Sequence, residues 1–257
     1  MIQGALAATR FLDRLPPPLL ADVLRNRCLP ILGAGFSRNA VLPPGLAMPL
    51  WSELADALAR QLPRYVAGDR GPLDAISAYQ FEYGRPRLVE EVRRQLHEGV
   101  ARPGDAHRTF CRLPFDIVVT TNVDCLLERG YESIQRNYNV IIDEDQLAVG
   151  VDPSTPTVLK IHGDVNHPNR VVLVEDDYDG FTTRHPLLVT YLSSLLITRT
   201  PLFIGYSLDD PDFRQLLTVI ADRLGSSRRQ AYVLTYGLGA FDVARYSRRS
   251  VRCVDLA

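Results

Sequence analysis

Five apolar, β-branched runs separated by helix-patterned stretches constrain the fold of this chain more than any other feature: "CLPILGAG", "FDIVVTTN", "TVLKIHG", "TPLFIGYS" and "QAYVLTYG". Strands buried on both faces read as near-continuous apolar runs, and their alternation with helices is the pattern of a parallel sheet covered on both sides. The expected fold is therefore α/β and Rossmann-like, a mostly parallel sheet with helices on both faces. The closing run "SVRCVDLA" offers one further short strand. Between the first and second runs, "PLWSELADALARQL", "PLDAISAYQFEYG" and "PRLVEEVRRQLHEG" carry helical spacing. Residues 49–103 are expected to form a helical insertion within a single domain spanning 1–257. Its amphipathic stretch "LVEEVRRQLHEGV" suits either an oligomer surface or the covering of the sheet's own core.

With 257 residues, 46% of them hydrophobic, the chain can bury a substantial core. Its 29 basic and 30 acidic residues leave a formal net charge of −1, so no global field draws it to nucleic acid or to an anionic membrane. An anionic ligand must be held by local groups. Cys28, Cys111, Cys125 and Cys253 lie far apart without a CxxC pair, which argues against a zinc knuckle and a disulfide framework and for a reducing, cytoplasmic setting. The opening "MIQGALAATRFLDRLPPPLL" lacks a basic segment followed by a long apolar one, and no stretch has 18 uninterrupted apolar residues. Export and membrane insertion are not expected.

Each of the first four runs ends in small or polar residues, and the C-terminal edge is where open α/β sheets bind ligands. After the first, Gly33 and Gly35 remove side chains where a backbone would approach a phosphate, although two glycines can equally make a tight turn. Arg38 stands at the third position of a GxGxxG pattern, and the acid expected about 20 residues on at a second strand end is missing; Glu53 falls in a helical pattern. A dehydrogenase fits poorly, and a P-loop fails because no Gly-Lys-Ser/Thr follows. The second run brings Thr120, Thr121, Asn122 and Asp124 to the rim. Asn122 and Asp124 suit a polar ligand, or they are a turn residue and a helix cap. The third ends in His162, which the following Gly163 is expected to leave exposed, as a general base. A packed histidine, or a metal site of His162, Asp164 and His167, are the alternatives. The fourth gives Gly205 and Ser207. An esterase elbow would need glycine where Asp209 stands and a histidine after the serine, yet none follows His185.

Taken in order, "GAGFS", "TTNVD", "KIHGD" and "FIGYSLDDPDF" resemble the sirtuin family, NAD-consuming proteins of the silent information regulator type, over nearly the whole chain. The resemblance implies that Gly33, Ala34, Gly35 and Ser37 line the NAD phosphates, with Arg38 facing the pyrophosphate. It puts Asn122 and Asp124, beside Thr121, at the nicotinamide ribose, makes His162 the general base, and sets Gly205 and Ser207 on the adenosine side. Deacylases of the family carry a zinc ribbon of two CxxC pairs, but no cysteine lies between His162 and Gly205. No zinc is therefore expected. The family's "TQNID" is "TTNVD" here, and no acyl-lysine tunnel motif is recognisable. Together with "VVLVEDDYDGF", these departures resemble the bacterial branch that acts in anti-phage defence by destroying NAD. That implies NAD+ as substrate, hydrolysed to nicotinamide and ADP-ribose, a homo-oligomer, and an ATPase or nucleic-acid-guided defence partner. An NAD-dependent protein deacylase and a catalytically silent NAD or ADP-ribose sensor are the alternatives.

Overall fold

Seven short strands form a single sheet: β1 (Cys28–Leu32), β2 (Ile117–Thr120), β3 (Asn139–Ile141), β4 (Thr157–Lys160), β5 (Thr200–Ile204), β6 (Ala231–Thr235) and β7 (Val251–Asp255). The structure, a computed structural model, describes residues 11–63, 71–149, 152, 154–207 and 211–257. The strand order is β3-β4-β2-β1-β5-β6-β7, and every neighbouring pair is parallel. The chain starts in the middle, builds outward to β3, then returns to the other side of β1. The β1/β5 seam is thus the topological switch point, where such sheets open a ligand crevice.

Apolar runs become two cores because successive side chains point to opposite faces. Leu29 and Ile31 of β1, Ile117 and Val119 of β2, and Phe203 of β5 face one cluster, completed by Leu188, Leu192 and Leu196 of the helix Pro186–Thr198. Cys28, Leu32, Val118, Val158 and Leu202 face the other, under Leu19 of Pro17–Leu24, Phe110 of Asp105–Cys111 and Tyr131 of Leu126–Ser133. The α/β expectation holds, and the sheet is parallel throughout. Pro17 and Pro18 open the first of these helices, where proline's missing N–H is harmless.

Within 49–103 the described residues form the helices Trp51–Ala59, Pro72–Tyr83 and Arg85–Gln95. Leu58, Ile76, Tyr79, Leu88 and Val92 make a third apolar cluster that also takes in Val123 and Leu126, just beyond β2. This helical layer therefore abuts the rim. β3 carried no run in the sequence, since it is three residues long and half-buried at the sheet edge. Residues 208–210 of "GYSLDDPDF" lie outside the described residues, and the helix Pro211–Leu224 follows them. Among the described residues, no helix is long and apolar enough to cross a membrane.

Phe203 is fully buried in the central strands, whereas Phe241 is 80% exposed. Phe203→Ala is expected to lower unfolding free energy by about 3–5 kcal/mol and Phe241→Ala by less than about 0.5 kcal/mol, read from urea denaturation midpoints.

Candidate active site

The site is laid out by register. Leu32 pairs with Thr120 on one side and Ile204 on the other, and Thr120 pairs with Lys160, so four neighbouring strands end on one row. At about 4.8 Å per spacing, the row is roughly 14 Å wide. Residues from four distant stretches step off it together: Gly33 after Leu32, Thr121 after Thr120, and Gly205 after Ile204. Asn122 and His162 each stand two positions past the paired Thr120 and Lys160.

A hydrogen-bonded chain joins the first two strand ends. Asn122 Nδ2 donates to Gly33 O at 2.9 Å and to Ser37 Oγ at 2.9 Å, and Ser37 Oγ donates to Asp124 Oδ2 at 2.6 Å. Asp124 Oδ1 accepts the N–H of Leu126 at 3.0 Å, so Asp124 is both the turn residue of the simpler reading and a member of the polar chain. Ser37 and Asp124 are buried and Asn122 is half-buried. Because both Nδ2 hydrogens have partners, the amide can offer a ligand only its Oδ1, an acceptor. Thr120 Oγ1 completes the turn, accepting from Asn122 N and donating to Leu32 O.

The glycines have a use the sequence did not show. Gly33 N donates to Ile204 O at 3.1 Å and Gly35 N to Gly205 O at 2.9 Å. A Cβ on Gly33 would stand 2.6 Å from Gly205 O, and one on Gly35 would stand 2.9 Å from Gly205 Cα. Gly205, at φ +61°, would drive a Cβ into Phe36 N. The bare backbone thus closes the β1/β5 seam on itself, and two of the amides expected at the phosphates serve β5 instead. Ala34 and Thr121 are half-buried beside this seam, and Ser207 is exposed past its end. Arg38 turns to the helical layer, where its guanidinium forms a two-pronged pair with Glu53, both bonds 3.1 Å, and bonds Met48 O at 3.0 Å.

His162 differs from expectation: it is 2% exposed. Gly163, at φ +63°, turns the chain back so that Val172 N reaches His162 O at 3.0 Å, and the rings of Tyr178 and Phe181 meet the imidazole edge-on at 5.1 and 6.0 Å. Glycine here folds a cover over the ring instead of exposing it. The metal set considered from the sequence is not assembled, since Asp164 accepts from its neighbour His167 Nδ1 at 2.9 Å while His162 packs among aromatics.

Lys160 is the residue that sequence reasoning passed over, although a lysine inside a fully apolar run was its signal. Wholly buried, its ammonium donates to Glu128 Oε1 at 2.5 Å and to Asp124 O at 2.6 Å, with Asp164 at 3.8 Å. Burial pulls the Lys160 ammonium towards neutrality, but Glu128, Cys125 and Asp164 outweigh it and hold the pKa above its ordinary value. Cys125, Glu128 and Asp164 bring their donor atoms within 4.8 Å of one another, and this lysine sits against them. Burial pushes the Cys125 thiol up to about 12, so it is protonated and a poor nucleophile.

A parallel Rossmann-like sheet with polar groups gathered on its C-terminal rim makes this an α/β protein of the doubly wound class, whose members bind ligands at that edge. Residues 116–250, more than half of the chain, match the family described as the SIR2-like domain, and the chain belongs to that family. "NAD(+) hydrolase ThsA" of Cytobacillus dafuensis is 33% identical over 162 residues, 62% of this chain and 33% of that protein. The protein of the same name from Bacillus cereus (strain MSX-D12) is 26% identical over 218 residues, 83% and 44% of the two chains. "Defense-associated sirtuin 2" of Bacillus subtilis is 25% identical over 175 residues, 66% and 16%. The chain thus spans less than half the length of these curated relatives.

Gly205→Ala is expected to destabilise the fold by about 3 kcal/mol in thermal or urea unfolding, combining a left-handed backbone with a backbone clash; a loss below about 1 kcal/mol would show that the seam can open. Lys160→Met should cost about 3–5 kcal/mol because it strands Glu128 in the interior, and adding Glu128→Leu should recover most of that loss.

Proposed function

We propose that the chain is an NAD+ glycohydrolase that cleaves the nicotinamide–ribose bond to give nicotinamide and ADP-ribose, acting in anti-phage defence by depleting NAD. The observation that carries this reading is the Asn122 amide, pinned by Gly33 O and Ser37 Oγ on the row that also sets His162. Family membership and the printed names of the relatives agree with it.

Nicotinamide departs from NAD already carrying positive charge on its ring nitrogen, so its expulsion needs no acid. As the C–N bond breaks, positive charge develops on the ribose, and oriented carbonyl and carboxylate dipoles stabilise it. Asn122 Oδ1 serves that purpose and also accepts a hydrogen bond from the attacking water, turning the water's lone pair towards the anomeric carbon. Asp124 works one step back, holding Ser37 and through it the amide. His162 takes the water's proton, and for this the edge of Tyr178 must turn aside. Ala34, Ser37 and Thr121, beside the Gly33–Gly35 turn, line the phosphate and ribose side, with Gly205 and Ser207 towards the adenosine; Arg38, paired with Glu53, is left out of this lining.

The reading extends to a single domain with 49–103 as a helical insertion, a homo-oligomer in the cytoplasm, and control by an ATPase or nucleic-acid-guided defence partner. An unregulated enzyme of this kind would poison its own host, which is the reason to expect such control.

The test is incubation of the purified protein with NAD, separating nicotinamide and ADP-ribose by chromatography. Turnover by the wild type is expected, with His162→Ala slowed about 10²- to 10⁴-fold, the usual contribution of a general base, and Asn122→Ala slowed at least comparably. Intact NAD recovered from every oligomeric form would sink the proposal.

A further inference from the structure

We propose that His107 is a positioning residue for the Asn122–Ser37–Asp124 chain, acting through one enclosed water; its catalytic side rests on the NAD-cleaving reading of that chain. His107 lies in the helix Asp105–Cys111, and its ring is fully buried, with Phe36 edge-on at 4.8 Å. Its Nδ1 accepts the N–H of Gly104 at 3.2 Å, the first unpaired amide of that helix. In either neutral tautomer Nε2 keeps one hydrogen-bonding position to fill, as donor or as acceptor.

Nε2 is buried and has no hydrogen-bond partner among the described residues. Leaving such a group unpaired in an interior is strongly unfavourable, and a residue that only capped the helix would not need the second nitrogen. The ring lines a small cavity of about 10 Å³ whose polar walls are Ser37, Thr120, Asn122, Asp124 and Glu128. This is about the space that a single water needs, and the walls supply more than the two to four polar partners such a water uses. The water bridges Nε2 to the carboxylate of Asp124, to which it donates. Burial pushes the imidazole below its usual range by more than the charge on Asp124 and the hydrogen bond with the Asn39 backbone pull it back up, which keeps the ring neutral. Held from behind in this way, Asp124 presents one orientation to Ser37, and Ser37 presents one to the Asn122 amide.

Two substitutions separate this role from helix capping. His107→Asn keeps a polar atom near Nδ1 and ends short of Nε2, whereas His107→Gln reaches the Nε2 position and gives up the cap. With both variants folded, as judged by melting temperature, His107→Gln is expected to keep kcat for NAD within about threefold of wild type. His107→Asn is expected to lose about tenfold in kcat, about 1.4 kcal/mol, with KM unchanged. The reverse pattern, equal losses, or no loss in either would overturn the proposal, leaving a cap or a packing role. High-resolution crystal structures form the second arm and need no turnover. They should show an ordered water bridging His107 Nε2 to Asp124 or Ser37 in the wild type, and a shifted Asp124 carboxylate or Asn122 amide in His107→Asn. A dry cavity or an unmoved chain overturns it. A wild type that leaves NAD intact but shows the water and the shift defeats the enzymatic reading alone.

Discussion

A lysine ammonium buried without solvent is the contact on which the arrangement of the rim depends. Lys160 sits on the same face of β4 as Val158, in an otherwise apolar layer, and reaches Glu128 and the carbonyl of Asp124 across the neighbouring strand end. Burying a charge is expensive, and the attraction between partners offsets it only when geometry is close, as it is here. The same contact selects register. Sliding β4 by one residue would swing the ammonium to the face of Leu159 and Ile161, where only hydrocarbon awaits it. One ion pair thus holds β4 in step with β2, and with it the position of His162 relative to Asn122.

The backbone seam between β1 and β5 does the corresponding work on the other side. Three glycines with no side chains let two strand ends touch, the amides of Gly33 and Gly35 finding the carbonyls of Ile204 and Gly205. What looked from composition like a surface bared for a ligand is largely a surface bared for the protein itself. The polar chain from Asn122 through Ser37 to Asp124 lies next to that seam, and the Gly33 carbonyl ties the Asn122 amide to it.

Much of this was legible in the residues. Long apolar runs named five of the seven strands and the closing run a sixth; β3 escaped because three residues, two of them half-buried, make no run. The motif ends "GAGFS", "TTNVD" and "KIHGD" meet on one rim, since a parallel sheet leaves them no other common edge. Side-chain destinations were harder. Arg38 pairs with Glu53, a residue fifteen positions on that only tertiary packing brings close. His162 was expected in the open, and the cover made by Tyr178 and Phe181 depends on a chain reversal at Gly163 that a lone glycine does not announce. Lys160 was visible as an anomaly in its run, but its partners became identifiable only with the strand order.

The bond between Ser37 and Asp124 spans 87 positions along the chain, with the whole helical layer threaded between them. Closing so long a loop costs ordering entropy that the contacts made on closure must offset. Gly33 and Ser37 leave β1, and Asn122 and Asp124 leave β2, so the polar chain exists only where those two strands are paired. Assembly of that chain is thereby tied to the pairing of the two central strands, and anything that parts them takes the relay apart.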